Sequence, residues 1–121
     1  MRRLTKLKFE IYHDCQDFAF HDYPELARNY NIYEPEFNQM FPRMSEIELG
    51  GRIAYIDLEG TINHFGLCTN RGTIVSKNGI GGKIYEHYVE DSGWAKGIIA
   101  IYFVPFQSGF NEDVRKFLNN P

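Results

Sequence analysis

The sequence predicts an α+β fold in which short N-terminal helices pack on one face of an antiparallel β-sheet. Helix-start signals are concentrated in the first part of the chain, whereas short runs rich in β-branched and aromatic residues fill the second half. Segregation of helices and strands along a chain is typical of the α+β class. With 121 residues, 43% of them hydrophobic, the chain suits one domain, residues 1–121, around a single core.

The first elements predicted are a strand and a short helix. Lysine and glutamate alternate with apolar residues over residues 6–11, which is the period-2 pattern of a half-buried strand. Asp14 is a good N-cap, because its carboxylate can accept the free N–H groups of a helical turn that begins at Cys15. Asp17 adds negative charge to the same turn, which also favours a helix there.

The positions of the prolines determine the next two predicted segments, a helix and a loop. A second short helix is expected over residues 23–30, since Pro24 lies near its start, where a proline is tolerated. Over residues 31–43 the composition changes to Asn, Tyr, Glu, Pro and Phe. Because Pro35 and Pro42 interrupt this segment, it is predicted to be an ordered loop whose aromatic side chains cover another surface.

The second half is predicted to form a meander of antiparallel strands. The runs that predict it are residues 52–58, 61–69, 73–78, 83–89 and 97–104. Residues 59–60 and 70–72 have the composition and length of hairpin turns. After the last strand the chain becomes polar, with a final helical turn expected around Val114.

The composition argues against partners that need a basic surface or a long apolar segment. Thirteen basic and 16 acidic residues give a formal net charge of −3, which lacks the basic excess that nucleic acids attract. No apolar run approaches the ~20 residues that cross a bilayer, and no apolar segment follows the basic N-terminus. We therefore predict a soluble, cytoplasmic protein without nucleic-acid or membrane partners, and leave specialised export and the oligomeric state open.

Cys15 and His64 are the residues on which a reaction is predicted. A thiol is a nucleophile as its thiolate, and its pKa falls at a helix N-terminus or beside an imidazolium. Cys15 and Cys68 are expected to be reduced thiols, with Cys68 in the core, although a disulfide between them would remove the activity. Of the four histidines, His64 is the best base because it opens a strand near glycine-containing turns, where a polar side chain can face a groove.

The predicted strand pairing suggests which groups hold the histidine ring. If Thr69 pairs with Thr73 across the turn, His64 faces Asn78 directly and Ser76 diagonally. Asn78 has the better side chain for holding a ring nitrogen, and Ser76 is the weaker partner. The backbone N–H of the cysteine at the helix start is a possible donor to an oxyanion.

Two aromatic residues are candidates for substrate binding. Tyr12 could donate to an oxyanion, and Trp94, just before the last strand, could line a substrate groove. For both residues, simple packing in the core or over the sheet edge is the alternative. His13 and His21 flank Cys15, but their spacing matches no zinc pattern, so we predict neither a metal nor a cofactor.

Several short motifs follow one another in an order that has a known counterpart. They are Asp14-Cys15, Leu49-Gly50-Gly51 before Arg52-Ile53-Ala54-Tyr55-Ile56, His64-Phe65-Gly66-Leu67, and Gly72-Thr73-Ile74-Val75-Ser76. Their order resembles the NlpC/P60 superfamily of papain-like cysteine peptidases and amidases over residues 12–80. In that family an Asp-Cys pair starts the helix of the nucleophile and a His-Val-Gly-Ile type strand carries the base. Gly51 replaces the family's turn Asp, and Ser76 falls at its third polar position.

The resulting hypothesis is a cysteine hydrolase, a peptidase or amidase of NlpC/P60 type that acts on a peptide or amide through a thioester on Cys15. His64 would take the thiol proton and return it to the leaving amine, with Asn78 or Ser76 orienting its ring. An acyltransferase remains a related possibility. The alternative from another class is a catalytically inactive module that binds a partner through its aromatic segment, residues 33–44.

Overall fold

The computed structural model describes residues 1–29 and 32–119 and contains a seven-stranded antiparallel sheet. The strands are β1 (Arg2–Arg3), β2 (Arg43–Met44), β3 (Gly51–Ile56), β4 (Ile62–Cys68), β5 (Ile74–Lys77), β6 (Ile84–His87) and β7 (Ile98–Phe103). Their spatial order is β1-β6-β5-β4-β3-β7-β2. The predicted meander therefore holds from β3 to β6, whereas β7 does not continue it and returns to pair with β3.

The helices pack together on one face of this sheet, as predicted for the α+β class. They are α1 (Cys15–Ala19), α2 (Pro24–Ala27), α3 (Glu34–Met40) and α4 (Glu112–Asn119), with 3₁₀ turns at Phe9–Ile11 and Val89–Asp91. Each helix contributes buried apolar side chains to the same large core that covers β3, β4 and β5. Within the described residues, no helix combines the length and the apolarity needed to cross a membrane.

Alternation along the strands gives the sheet a second apolar face. Ala54 and Ile56 of β3 point to the helices, whereas Ile53 and Tyr55 belong to a smaller cluster on the other face. Cys68 lies in this smaller cluster and is 0% exposed, so its predicted place in the core is confirmed. His64 pairs with Tyr55 across β3 and β4 and therefore shares that face.

The strand predicted over residues 6–11 is absent. The chain bends there and forms the 3₁₀ turn Phe9–Ile11, while the pairing with β6 is made by β1. Leu7 is buried but Ile11 is 60% exposed, so the apolar positions do not share one face. An alternating pattern is therefore insufficient for a strand where no neighbouring strand is in register with it.

The loop predicted over residues 31–43 contains α3, so that prediction was wrong. Pro35 lies in the first turn of α3, where its missing N–H costs nothing, and the Tyr33 N–H donates to the Glu36 carboxylate at 2.7 Å. Phe37 is buried in the core, which leaves Tyr33 and Met40 as the exposed large side chains of this helix. The helix predicted over 23–30 is the shorter α2, and Tyr30 and Asn31 lie outside the described residues.

A buried ion pair attaches β3 to the end of α1. Arg52 is 1% exposed and donates from Nη1 and Nη2 to the two Asp22 carboxylate oxygens at 2.6 and 2.8 Å. Its Nη1 also donates to the Ala19 carbonyl at 2.9 Å, which is the last residue of α1. The guanidinium lies over the rings of Phe20, Tyr23, Phe106 and Phe110. This contact fixes the helix that carries Cys15 against the sheet.

Candidate active site

Cys15, His64, Asn78 and Trp94 line one cavity of about 320 Å³. They come from four places in the chain: the start of α1, strand β4, the turn after β5 and the loop before β7. The other lining residues are Met1, Asn63, Gly79, His87, Ser92 and Gly93. None of these described lining residues is Asp, Glu, Lys or Arg, so the side chains of the cavity wall include polar groups but no carboxylate, ammonium or guanidinium group.

The helix start at Cys15 forms as predicted. Asp14 is the N-cap, and its Oδ1 accepts the Asp17 N–H at 2.8 Å. Phe18, on the inner side of α1, is fully buried in the large core and holds the helix on the sheet. The sulfur of Cys15 lies by the backbone of Phe65, the residue that follows His64 on β4. The fold thus brings the thiol to the strand that carries the proposed base.

The pKa of the Cys15 thiol moves in the direction opposite to that predicted from the helix start. Burial raises it above its ordinary value, and the nearby negative charge of Asp14 adds to the rise. Hydrogen bonding to the backbone of Phe65 and of the first helical turn lowers the pKa by less. At neutral pH the resting group is therefore a thiol.

His64 is a buried neutral imidazole. It is 3% exposed, and this burial lowers its pKa to about 4, with the neighbouring His87 adding to the decrease. At pH 7 the ring carries one proton and keeps one nitrogen free to accept another. The Cys15–His64 pair is thus neutral at rest, and a proton would move only as the sulfur attacks a substrate.

The two residues expected to orient the ring have different positions. Asn78 follows β5 and lines the cavity, in continuation of the register that pairs Leu67 with Val75. The hydroxyl of Ser76 lies 2.9 Å from Nε2 of His87. In the part of the chain that the structure describes, no hydrogen bond joins Asn78 or Ser76 to the His64 ring.

His87 is a histidine of the cavity to which the sequence analysis assigned no role. Its Nδ1 lies 2.8 Å from the Tyr88 carbonyl oxygen, which can only accept, so Nδ1 carries the proton and Ser76 donates to Nε2. The register that pairs Ile74 with His87 places this ring beside Ser76. A histidine in a predicted strand was the available signal, but the register across the turn after β5 was needed to place it.

The two aromatic candidates for substrate binding lie in different places in the structure. Trp94 lines the cavity and is 51% exposed, so it remains a candidate for substrate binding. Tyr12 is buried, packs edge-on against Phe18 with ring centroids 5.1 Å apart, and accepts a hydrogen bond from Asn111 at 2.9 Å. It is not among the described residues that line the Cys15 cavity. The structure therefore gives Tyr12 a packing contact.

Comparison of the chain with protein-family models, with curated proteins and with solved structures gives no match. The fold and the cavity define an α+β protein in which a cysteine and a histidine meet at one cavity. The resemblance to the NlpC/P60 superfamily stays a prediction from the order of the motifs. Within the described residues there is also no group of three or more side chains placed to hold a metal ion.

Proposed function

We propose that this protein is a cysteine hydrolase that cleaves a peptide or amide bond through a thioester on Cys15. The observation that carries the proposal is the shared cavity, into which Cys15 from α1 and His64 from β4 both open. The other cysteine, Cys68, is fully buried among apolar side chains. A thiol and a neutral imidazole that open into one cavity are the two groups that nucleophilic catalysis by a thiol requires.

The first half-reaction forms the thioester. The Cys15 sulfur attacks the substrate carbonyl carbon while His64 takes the thiol proton, and the carbonyl π electrons move to the oxygen. The backbone N–H groups of Cys15 and Gln16 lie by the sulfur at the start of α1, where they can stabilise that oxyanion. When the tetrahedral intermediate collapses, the C–N bond breaks and the amine leaves with the proton from His64.

The second half-reaction restores the enzyme. A water molecule attacks the thioester carbonyl while His64 accepts one of its protons, and the C–S bond then breaks. The sulfur leaves as thiolate and takes the proton back from His64, which releases the carboxylic acid. Because the pKa of His64 is about 4, its imidazolium form is a strong acid towards the leaving amine. The same low pKa makes it a weak base, so we expect thiol attack to limit the rate.

The cavity wall favours a neutral substrate group. It offers the amides of Asn63 and Asn78 and the hydroxyl of Ser92, and none of its described side chains is a carboxylate, an ammonium or a guanidinium group. An unpaired charge that leaves water at such a wall costs several kcal/mol or changes its protonation state. An uncharged amide or peptide carbonyl is therefore the substrate group that this wall supports.

Iodoacetamide and iodoacetate, which have similar size but different charge, test the neutral character of the cavity. We expect Cys15 in the folded protein to prefer iodoacetamide over iodoacetate by at least about tenfold, relative to the preference of the same thiol in urea. The rates would be read by mass spectrometry of the Cys15 peptide. The same preference in the folded and the unfolded chain would show that the cavity does not select against charge.

An activated ester tests the proposed reaction without knowledge of the natural substrate. With 4-nitrophenyl acetate, the unaltered protein is expected to release 4-nitrophenolate faster than buffer, and Cys15→Ala to return the rate to that of buffer. Cys68→Ala is the matched control, because it removes the other thiol and leaves the cavity intact. Full activity in a folded Cys15→Ala protein would refute the proposal.

A further inference from the structure

The imidazole of His64 has two aromatic rings as neighbours. The Trp94 indole stacks on it with an interplanar angle of 18° and ring centroids 6.1 Å apart. On β3, the Tyr55 ring approaches it at 5.6 Å with an angle of 48°. Both separations lie in the range in which aromatic rings attract each other. The plane of the ring is therefore defined by ring packing.

Hydrogen bonding does not define that plane. Ser76 and His87 bond to each other, and His87 uses its second nitrogen on the Tyr88 carbonyl. Among the described residues, Arg52 Nε is the one buried side-chain nitrogen or oxygen that lacks a partner. The His64 nitrogens, which make no hydrogen bond there, consequently reach accessible space at the cavity.

We propose that Trp94 is a positioning residue, which holds the His64 ring by stacking in the role that a polar third residue would otherwise have. This inference rests on the proposed function of His64 as the base. Stacking fixes the ring plane and leaves both ring nitrogens free for the thiol and the leaving group. A hydrogen-bonded partner would occupy one of these nitrogens.

The loop that carries Trp94 is held well enough for this role. The Trp94 N–H donates to the Ser92 hydroxyl at 3.2 Å, and the Trp94 carbonyl accepts the Lys96 N–H at 2.8 Å. The Ala95 N–H donates to the Ser92 carbonyl at 3.1 Å, which closes the turn. Although the indole is half exposed, its backbone is fixed, and one face covers His64.

The same contact shields the base from water. Burial is the main reason that the pKa of His64 lies near 4, and the neighbouring His87 is the second. The titratable groups around the ring include Cys15 from α1, Tyr55 from β3 and His87 from β6, and Met1, which carries the N-terminal amino group, lines the same cavity. The effect of His87 on the pKa of His64 therefore has to be separated from that of the indole.

NMR titration of the His64 ring in the folded chain tests the proposal. In Trp94→Ala we expect the ring pKa to rise from about 4 towards its ordinary 6.5, and the ring protons to lose their upfield ring-current shift. Trp94→Phe should recover part of both signals, because a smaller ring still stacks. His87→Gln should raise the pKa of the His64 ring but leave the ring-current shift of its protons unchanged.

Phe103→Ala is the matched control, since Phe103 is also an exposed aromatic side chain, 44% accessible, on β7. It should change neither signal. An unchanged pKa and ring-current shift in Trp94→Ala would overturn the stacking role, whatever the activity of the protein. The hydrolase proposal fails separately, through the ester assay with Cys15→Ala, because the ring titration needs no substrate.

Discussion

Replacement of His64 by alanine is expected to slow the acetylation of Cys15 by 4-nitrophenyl acetate by about 10²-fold at pH 7, the lower end of the range for general-base catalysis. The thiol is protonated at this pH because its pKa is raised, so the reaction depends on a neighbouring base. His64 is neutral above pH about 4 and lines the same cavity as Cys15. Because the low pKa of His64 makes it a weak base, the expected slowing lies at the lower end of the range for general-base catalysis.

The pH profile distinguishes this role from a structural one. The rate in the unaltered protein should rise through pH about 4, as His64 loses its proton, and then stay flat to neutral pH. In His64→Ala it should rise about tenfold per pH unit as the thiolate fraction grows. His13→Ala is the control, because His13 is an exposed histidine next to α1 that does not line the cavity. Equal profiles for the unaltered protein and His64→Ala would remove His64 from the reaction.

Conversion of Asp22 to asparagine is expected to destabilise the fold by about 3–5 kcal/mol, since it leaves a buried guanidinium without its counter-ion. The Asp22 carboxylate bonds to both terminal nitrogens of Arg52 and also accepts the Gln107 N–H at 3.1 Å. Asparagine keeps the size of the side chain but not its charge. The free energy of unfolding can be followed in urea through the fluorescence of Trp94, the single tryptophan.

An exposed ion pair in the same chain provides the control. Glu34 and Arg43 lie 4.0 Å apart with both side chains partly in water, so Glu34→Gln should cost at most about 1 kcal/mol. Similar losses in the two variants would show that the Arg52 pair is no stronger than a surface contact. Because Arg52 also holds the end of α1, Asp22→Asn should in addition change the alkylation rate of Cys15.

The parts of the fold that could be predicted are those with local causes. The bounds of β3 to β6 follow from β-branched runs between turns, and Gly60 and Gly72 adopt the positive φ that such turns require. The start of α1 follows from Asp14 alone. The return of β7 to β3 and the loss of the strand over 6–11 depend on which strands become neighbours, which no local pattern specifies.

The candidate site also has features that the sequence could predict and features that it could not. The helix start at Asp14, the histidine that opens a strand and the order of motifs singled out Cys15 and His64 as candidates, and the β4–β5 register predicted from one turn agrees with the position of Asn78 at the cavity. The bond between Ser76 and His87 depends on the register of β5 with β6, which the sequence did not provide. The sign of the Cys15 pKa shift was wrong because burial outweighs the short helix, and burial is a property of the whole fold.

The position of the acetyl group after reaction with 4-nitrophenyl acetate tests the central claim most directly. The protein would be quenched in acid within the first turnover, digested and mapped by mass spectrometry. The expected product is an acetyl thioester on Cys15, which neutral hydroxylamine removes and which forms more slowly in His64→Ala. An acetyl group that resists hydroxylamine on a lysine, with Cys15 unmodified, would contradict the assignment of Cys15 as the nucleophile.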